Sequence, residues 1–308
     1  MLFFAKTFKS NNFIIVLEQE LKKNGWKELI YNKKKNLNYC SNDINSMIKN
    51  IDRSRNYFWS NKYYLYYLLK NKSYTLITYE LINGNWLTKI PKEKDTIFFV
   101  KDAYKDADRG NILLKDIKSI ENHSLKNKGL FVVQPNIDCL LYQKKKIDIR
   151  ILGSLISKNH IDYDLCIYKK GLIRQCRKEY NTSDLQSSMH ITTEAYHYNR
   201  NMVQNLFDDN FVYYDVMIKK IIDLCKDLME STIHIFKNYS KYNNSIIWNI
   251  GFDFIFDKDF NIYLIEINHN PRYHKCLYKY FEFLAKNVYT SLAKNETIIY
   301  DKSIVIKI

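Results

Sequence analysis

Seven glycines and three prolines in 308 residues leave no Pro/Ser/Gly linker, and neither an internal repeat nor a long low-complexity run interrupts the chain. No uncharged apolar run is long enough to cross a bilayer. At the N-terminus, Met1-Leu2-Phe3-Phe4-Ala5 meets Lys6 and Lys9 before a signal-peptide core could form. These absences set the expectation of a cytoplasmic protein without membrane contact. Six cysteines, Cys40, Cys139, Cys166, Cys176, Cys225 and Cys276, form no CxxC pair and no Cys/His cluster. That argues against a zinc site and a secreted disulfide framework, and leaves free core thiols. The sequence also has no recognisable Ser/His/Asp or Cys/His arrangement for covalent catalysis, and no recognised nucleic-acid-binding motif.

What is present is a large apolar reservoir and an excess of positive charge. With 46% hydrophobic and 15% aromatic residues, the chain can bury a substantial core, divided between two or three subdomains. The net charge of +15 creates a field that attracts polyanions, whether nucleic acid, anionic lipid or acidic protein tails. Residues 1–95 hold 17 Lys/Arg against 8 Asp/Glu, so the excess is densest in the N-terminal third. The abundance of Lys, Asn, Ile and Tyr also fits an AT-rich coding sequence, which would account for part of the lysine content without any partner.

Periodicity divides the chain. Phe13, Val16, Leu17, Glu20 and Leu21 recur at helical spacing behind Asn12, with Gly25 as the stop and a short strand over Trp26–Tyr31. Ser60 is a candidate cap for a helix ending near Asn71, with Tyr64, Leu65, Leu68 and Leu69 facing a core. Thr96–Val100 and Leu130–Gln134 have strand length and composition, with a polar loop and a candidate helix over Leu114–Asn122 between them. Ile147–Ile156 predicts a longer strand with Asp148 and Arg150 on one face and Ile147, Ile149 and Ile151 on the other. Helical spacing returns over Tyr214–Tyr239. The expectation is an α+β fold with helices on mixed or antiparallel sheets, divided into a small basic α/β subdomain over residues 1–95 and a larger unit over 96–308.

Gly251–Asp257 and Tyr263–Pro271 both alternate at period 2 around the polar turn Lys258–Asn261, so they predict an antiparallel hairpin. A register pairing Asp253 with Glu266 would gather Asp253, Glu266 and Asn268 on one face, as hard oxygen ligands short of neutralising charge. Magnesium with a nucleotide phosphate would satisfy them; a solvated face of an amphipathic hairpin has the same pattern.

Further polar features accompany the hairpin: Lys101 and Gln134 at strand ends, Lys146-Ile-Asp148-Ile-Arg150, and Arg174 in Lys170-Gly-Leu-Ile-Arg174. Singly each reads as a solvated charge or a surface ion pair. Together they are the ingredients for holding a triphosphate. In order, they resemble the tubulin-tyrosine ligase-like family, which has the ATP-grasp fold. Lys146–Arg150 is similar to that family's Lys-Phe-Asp-Ile/Leu-Arg motif, Tyr168–Arg174 to Tyr-x-x-Gly-x-x-Arg, and Met189-His190-Ile-Thr192 to His-Leu-Thr-Asn. Gly251-Phe-Asp253 and Leu264-Ile-Glu266-Ile-Asn268 are similar to Gly-x-Asp and Leu-Ile-Glu-Val-Asn. Leu21–Trp26 adds a weaker likeness.

The resemblance implies ATP and magnesium as cofactors. It implies phosphate contacts from Lys101 and Lys146, an adenine-facing hinge at Gln134, Pro135, Asn136 and Ile137, and Asp148 near the ribose. Arg150 and Arg174 would face the γ-phosphate and substrate carboxylates, His190 and Thr192 would lie near the substrate, and Asp253, Glu266 and Asn268 would hold magnesium. Arg150, Arg174 and Glu266 would carry the catalysis.

Three departures stand out. Asp102–Gly110 has one glycine and three acidic residues where a Ser/Gly-rich phosphate loop is usual, Pro135 replaces a hinge lysine, and Thr193 replaces an asparagine. The implied activity is ATP-dependent carboxylate–amine ligation through an acyl phosphate. It would add a free amino acid to an acidic protein tail, with tubulin the candidate partner and a monomer as the expected state. The alternatives are a catalytically weak relative that binds acidic tails, and a basic nucleic-acid-binding protein, for which the sequence offers no motif.

Overall fold

The computed structural model describes residues 3–5, 19–29, 59, 61–93, 96–104, 111–159, 161–193, 205–238, 246–269, 271 and 277–308. Among these, strands β1 (Phe3–Ala5) and β2 (Lys27–Leu29) pair in parallel. Residues 19–23 between them are helical. Gly25, at φ +83°, ends that turn as its position predicts, and Trp26 N–H reaches back to Leu21 C=O at 3.0 Å, as in a Schellman-type cap. Asn12, Phe13, Val16 and Leu17 lie outside the described residues.

Helix α1 (Lys62–Leu69) is capped by Asn61, whose side chain accepts from the backbone N–H groups of Tyr63 and Tyr64. The cap therefore falls one residue beyond the expected Ser60, itself outside the described residues. Next come β3 (Tyr79–Ile82), β4 (Asn85–Trp86), β5 (Phe98–Asp102) and β6 (Asn111–Leu114), then helix α2 (Ile117–Asn127) and β7 (Leu130–Pro135). The expected helix start at Leu114 is corrected. Leu114 pairs with Phe98 in the sheet, and the helix begins only after Asp116, whose carboxylate accepts the Ser119 N–H at 2.7 Å. These strands form one antiparallel sheet in the order β4-β3-β7-β5-β6. It draws strands from both sides of residue 95, so the expected boundary there runs through a single hydrogen-bonded sheet.

The larger, seven-stranded sheet contains β8 (Leu141–Tyr142), β9 (Lys145–Ser157), β10 (Asp164–Gln175), β11 (Asn205–Phe207), β12 (Ile246–Phe256), β13 (Ile262–His269) and β14 (Val305–Lys307). Its main path is β11-β10-β9-β12-β13, antiparallel throughout, with β14 on β10 and β8 on β9. Among the described residues, four helices belong to the same half of the chain: α3 (Ser187–His190), α4 (Tyr214–Asn238), α5 (Tyr278–Phe283) and α6 (Thr290–Ala293), the last two joined by a π-helical turn. The α+β architecture expected from periodicity is the one observed.

Alternation along β9 decides where each side chain goes. Ile147, Ile149 and Ile151 share a core with Met217, Ile221, Leu224 and Leu228 of α4 and with Phe252 and Phe254 of β12. Trp59 is fully buried in that core, 4.9 Å from the Phe236 ring and 5.3 Å from Trp248. On the opposite face, Leu152 and Ile156 pack with Leu172 of β10 against Tyr280, Phe281, Leu284, Val288 and Leu292. Continuing at period 2 along that face gives Arg150, Asp148 and Lys146. One face of the sheet thus changes from apolar to charged along its length, and the charged end is the candidate site.

Candidate active site

Register builds the charged end. Arg150 on β9 stands opposite Asp253 on β12, and Asp253 opposite Glu266 on β13, so three strands contribute one row. In the adjoining row, Asp148 stands opposite Arg174 on β10. Directly opposed side chains on one face are within reach of each other. The pairing of Asp253 with Glu266 is the register that gathers the hairpin's polar residues, and a bulge follows immediately, between Asp253 and Phe254. Gly251 is required by close packing: a Cβ there would lie 2.8 Å from Cβ of Pro271.

The contacts correct one expectation. The hairpin carboxylates were expected to lack protein countercharge, yet Asp253 is fully buried and gripped by two arginines. Arg150 Nε and Nη2 donate to its two oxygens at 2.7 and 2.6 Å, and Arg174 Nη2 lies 2.9 Å from Oδ2. Asn268 Nδ2 donates to Asp253 Oδ2 at 3.0 Å and to Glu266 Oε1 at 2.9 Å. Burial alone would raise the pKa of Asp253, but Arg150 and Arg174 outweigh it and hold the carboxyl well below the usual range. Asp148 and Arg150 do not pair with each other on the sheet surface. Each bonds across strands instead, and Asp148 accepts from Arg174 Nε and from the Thr192 hydroxyl. Asp148, read from the resemblance as a ribose contact, is in this structure a buried acceptor for those two groups.

A cavity opens over this array. Lys101, Gln134, Pro135, Asn136, Ile137, Lys146, Asp148, Arg174, His190, Thr192, Asp253 and Glu266 all line it. Arg150 and Asn268 do not line the cavity; they stand behind it as partners of Asp253. Toward one end, Lys101 donates to Gln134 Oε1 at 2.8 Å, while Gln134 Nε2 donates to Thr78 at 2.8 Å. Lys146 donates to Asn136 Oδ1 at 3.2 Å and lies 4.4 Å from the Phe99 ring centroid. His190 is fixed by a 2.7 Å contact between Nε2 and the Asp184 carbonyl and by the edge of Tyr180. The segment 105–110, expected as an acidic phosphate loop, lies outside the described residues.

The structure also brings in residues that sequence reasoning missed: Lys62, Leu76, Phe99, Asn111, Ile255 and Ile265. Ile255 was findable, since it follows Asp253 at period 2. Lys62 carried no signal, being one lysine in a lysine-rich third of the chain.

Among the described residues no cluster of three or more His, Cys, Asp or Glu side chains is arranged as a ready metal site. The donors nonetheless suit a hard cation that keeps substrate phosphates and water as its other ligands. Glu266 faces the cavity with its side chain 30% exposed. Burial first, and then the neighbouring Asp253 carboxylate, raise its pKa. Among the described residues Arg174 Nη1 is buried with no hydrogen-bond partner, which leaves a cationic donor at the same cavity for an anionic group.

Burial pushes the Lys146 ammonium below the ordinary lysine range, with Cys139, Cys176 and Asp148 acting in the opposite direction. Its charge is therefore complete only below that lowered pKa; if Lys146 holds a phosphate, as the resemblance implies, that binding should weaken as pH rises through it, earlier than an exposed lysine would titrate. Titration calorimetry with a non-hydrolysable ATP analogue across pH checks this. Lys146→Met should cost about 1.5–3 kcal/mol of affinity, the worth of a charge-assisted hydrogen bond. An affinity flat in pH up to the ordinary lysine range would remove Lys146 from the phosphate site.

Sequence comparison identifies relatives in Tetrahymena thermophila. Tubulin glycylase 3F is 32% identical over 142 residues, covering 41% of this chain and 15% of its own length. Tubulin glycylase 3C is 25% identical over 228 residues, covering 64% of this chain and 20% of its own. Tubulin glycylase 3B is 25% identical over 190 residues, covering 57% and 16%. The chain thus spans a fifth or less of the length of these relatives. The profile described as Tubulin-tyrosine ligase family matches residues 20–303, which is most of the chain, and the protein belongs to that family.

Proposed function

We propose that the protein is an ATP-dependent ligase that joins the amine of a free amino acid to a side-chain carboxylate of an acidic protein tail, with tubulin as the first candidate acceptor and glycine as the first amino acid to test. The observation that carries this reading is the convergence of Lys101, Lys146, Arg174, Asp148, Asp253 and Glu266 on one cavity, in a chain of this family. When bound, ATP with magnesium supplies the phosphoryl group that turns an unreactive carboxylate into one an amine can attack.

The protein's own residues provide position and charge. Lys101 and Lys146 lie on the wall with Gln134 and Asn136, where they can hold phosphate oxygens. Arg174 offers Nη1 to negative charge that develops during transfer, and such preorganised donors favour the transition state over the ground state. Glu266, with Asp253 and Asn268 behind it, would hold magnesium. No protein nucleophile is needed, because the attacking amine belongs to the substrate.

The test is mass spectrometry of a Glu-rich tubulin-tail peptide after incubation with ATP, magnesium and a mixture of amino acids. A mass gain of one amino-acid residue, dependent on ATP, is expected. Absence of any gain while the peptide still binds would favour the catalytically weak tail binder. The +15 charge further predicts that binding weakens steeply with salt and that a Gln/Asn version of the peptide neither binds nor reacts comparably. Equal behaviour of the neutral peptide would detach the basic charge from this function.

A further inference from the structure

The cavity contains one cation from a different part of the chain. Lys62 is the first residue of α1, whereas Lys101, Lys146 and Arg174 belong to the two large sheets. Its place is fixed twice over. Asn61, 6% exposed, caps α1 through Oδ1 and donates Nδ2 to the Ala103 carbonyl at 3.2 Å, tying the helix start to the end of β5 just beyond Lys101. Leu65 and Leu69 then bury the helix in the core shared with Trp59 and α4.

This is an expensive place for a lysine. The first turn of a helix carries the positive end of its dipole, where acidic residues are favoured, and α1 has none there. Lys62 and Glu266 line the same cavity. Both arginines are held by carboxylates: Arg150 grips Asp253, and Arg174 spans Asp148 and Asp253, with Nη1 lacking a hydrogen-bond partner among the described residues. The cavity therefore gathers a lysine ammonium and a guanidinium nitrogen, both suited to an anionic group.

Building on the ligase reading, we propose that Lys62 binds a carboxylate of the substrates to be joined. Two sources share this chemistry: an acidic side chain of the acceptor peptide and the α-carboxylate of the free amino acid. Lys62 would then act on substrate selection, leaving nucleotide binding to Lys101 and Lys146.

The experiment compares wild type with Lys62→Gln and Lys62→Arg in two formats. In steady-state ligation, KM is measured separately for a Glu-rich acceptor peptide, for glycine and for ATP. In calorimetry without turnover, a pentaglutamate peptide and glycine are titrated into each protein. Lys62→Gln should raise the constant for one carboxylate substrate about tenfold or more, leave that for ATP unchanged, and melt no lower than wild type. Lys62→Arg should recover most of the loss. The substrate whose constant moves identifies the source of the carboxylate. Unchanged constants for both carboxylate substrates, or a change confined to ATP, would overturn the assignment. The formats also separate this inference from the ligase reading. Peptide binding that depends on Lys62 in a protein without ligation would retain the carboxylate site and remove the enzyme. Ligation indifferent to Lys62 would do the reverse, and a protein that neither ligates nor binds would remove both.

Discussion

Asp253→Asn is expected to lower folding stability by about 3–5 kcal/mol and to eliminate ATP turnover, because it strips the shared counterion from two arginines. The carboxylate is fully buried, accepts from Arg150 at both oxygens, and is also the partner of Arg174 Nη2 and Asn268 Nδ2. Asparagine keeps the shape but replaces one acceptor oxygen with a donor facing other donors. The pH dependence follows from the sign of the shift. Arg150 and Arg174 outweigh burial and hold the native pKa of Asp253 well below its ordinary 3.8. The stabilisation is therefore complete above that ordinary value and is lost as pH falls through the depressed native one. Urea midpoints measured from neutral to acid pH should show wild type losing this increment while Asp253→Asn has none to lose. A variant as stable as wild type at neutral pH would mean the arginines do not depend on this carboxylate.

Glu266→Gln should behave in the opposite way on stability and in the same way on activity. Its carboxyl is partly exposed, and its pKa is raised by burial and by Asp253, so the ionised form is uncomfortable in the folded protein. Removing the charge should leave thermal stability unchanged or slightly higher. If Glu266 carries magnesium, turnover should fall by roughly 10²–10³, the loss typical of deleting one preorganised electrostatic contact, and the magnesium requirement should shift to higher concentration. Thermal melts with steady-state ATPase assays over a magnesium series check both halves. Near-native turnover would deny Glu266 the metal, and an unfolded variant would assign it a structural role. Between these two carboxylates, Glu266 is the cleaner probe of chemistry, because Asp253 cannot be changed without also disturbing Arg150 and Arg174.

Much of this arrangement is legible in the sequence. Alternation in Lys146–Arg150 and Gly251–Asp257 separates charged from apolar residues at period 2, and the turn Lys258–Asn261 limits the hairpin to few registers; continued unbroken from Phe256 opposite Ile262, the ladder would set Asp253 opposite Ile265, and the bulge after Asp253 brings it opposite Glu266 instead. Residues 20–303, matched by the family profile, include every motif used in the resemblance. Local signals also explain the small errors. Leu114 has apolar character that suits strand or helix equally, and pairing with Phe98 decided for the strand. The boundary at residue 95 followed charge density, which carries no information on which strands share a sheet.

Side-chain alternation, turn chemistry and the excess of lysine are properties of neighbouring residues, and they were enough to indicate an α+β fold, the strand faces and the candidate carboxylates. Whether those carboxylates stand bare or neutralised depends on strands 103 residues apart, since Arg150 and Asp253 meet only through the pairing of β9 with β12. The entry of Lys62 into the cavity likewise depends on Asn61 reaching Ala103. Coulombic and hydrogen-bond energies act over a few ångströms of space, whatever the separation along the chain. The sequence pattern can therefore name the charged groups, while long-range packing alone selects which of them neutralise one another and which face the cavity.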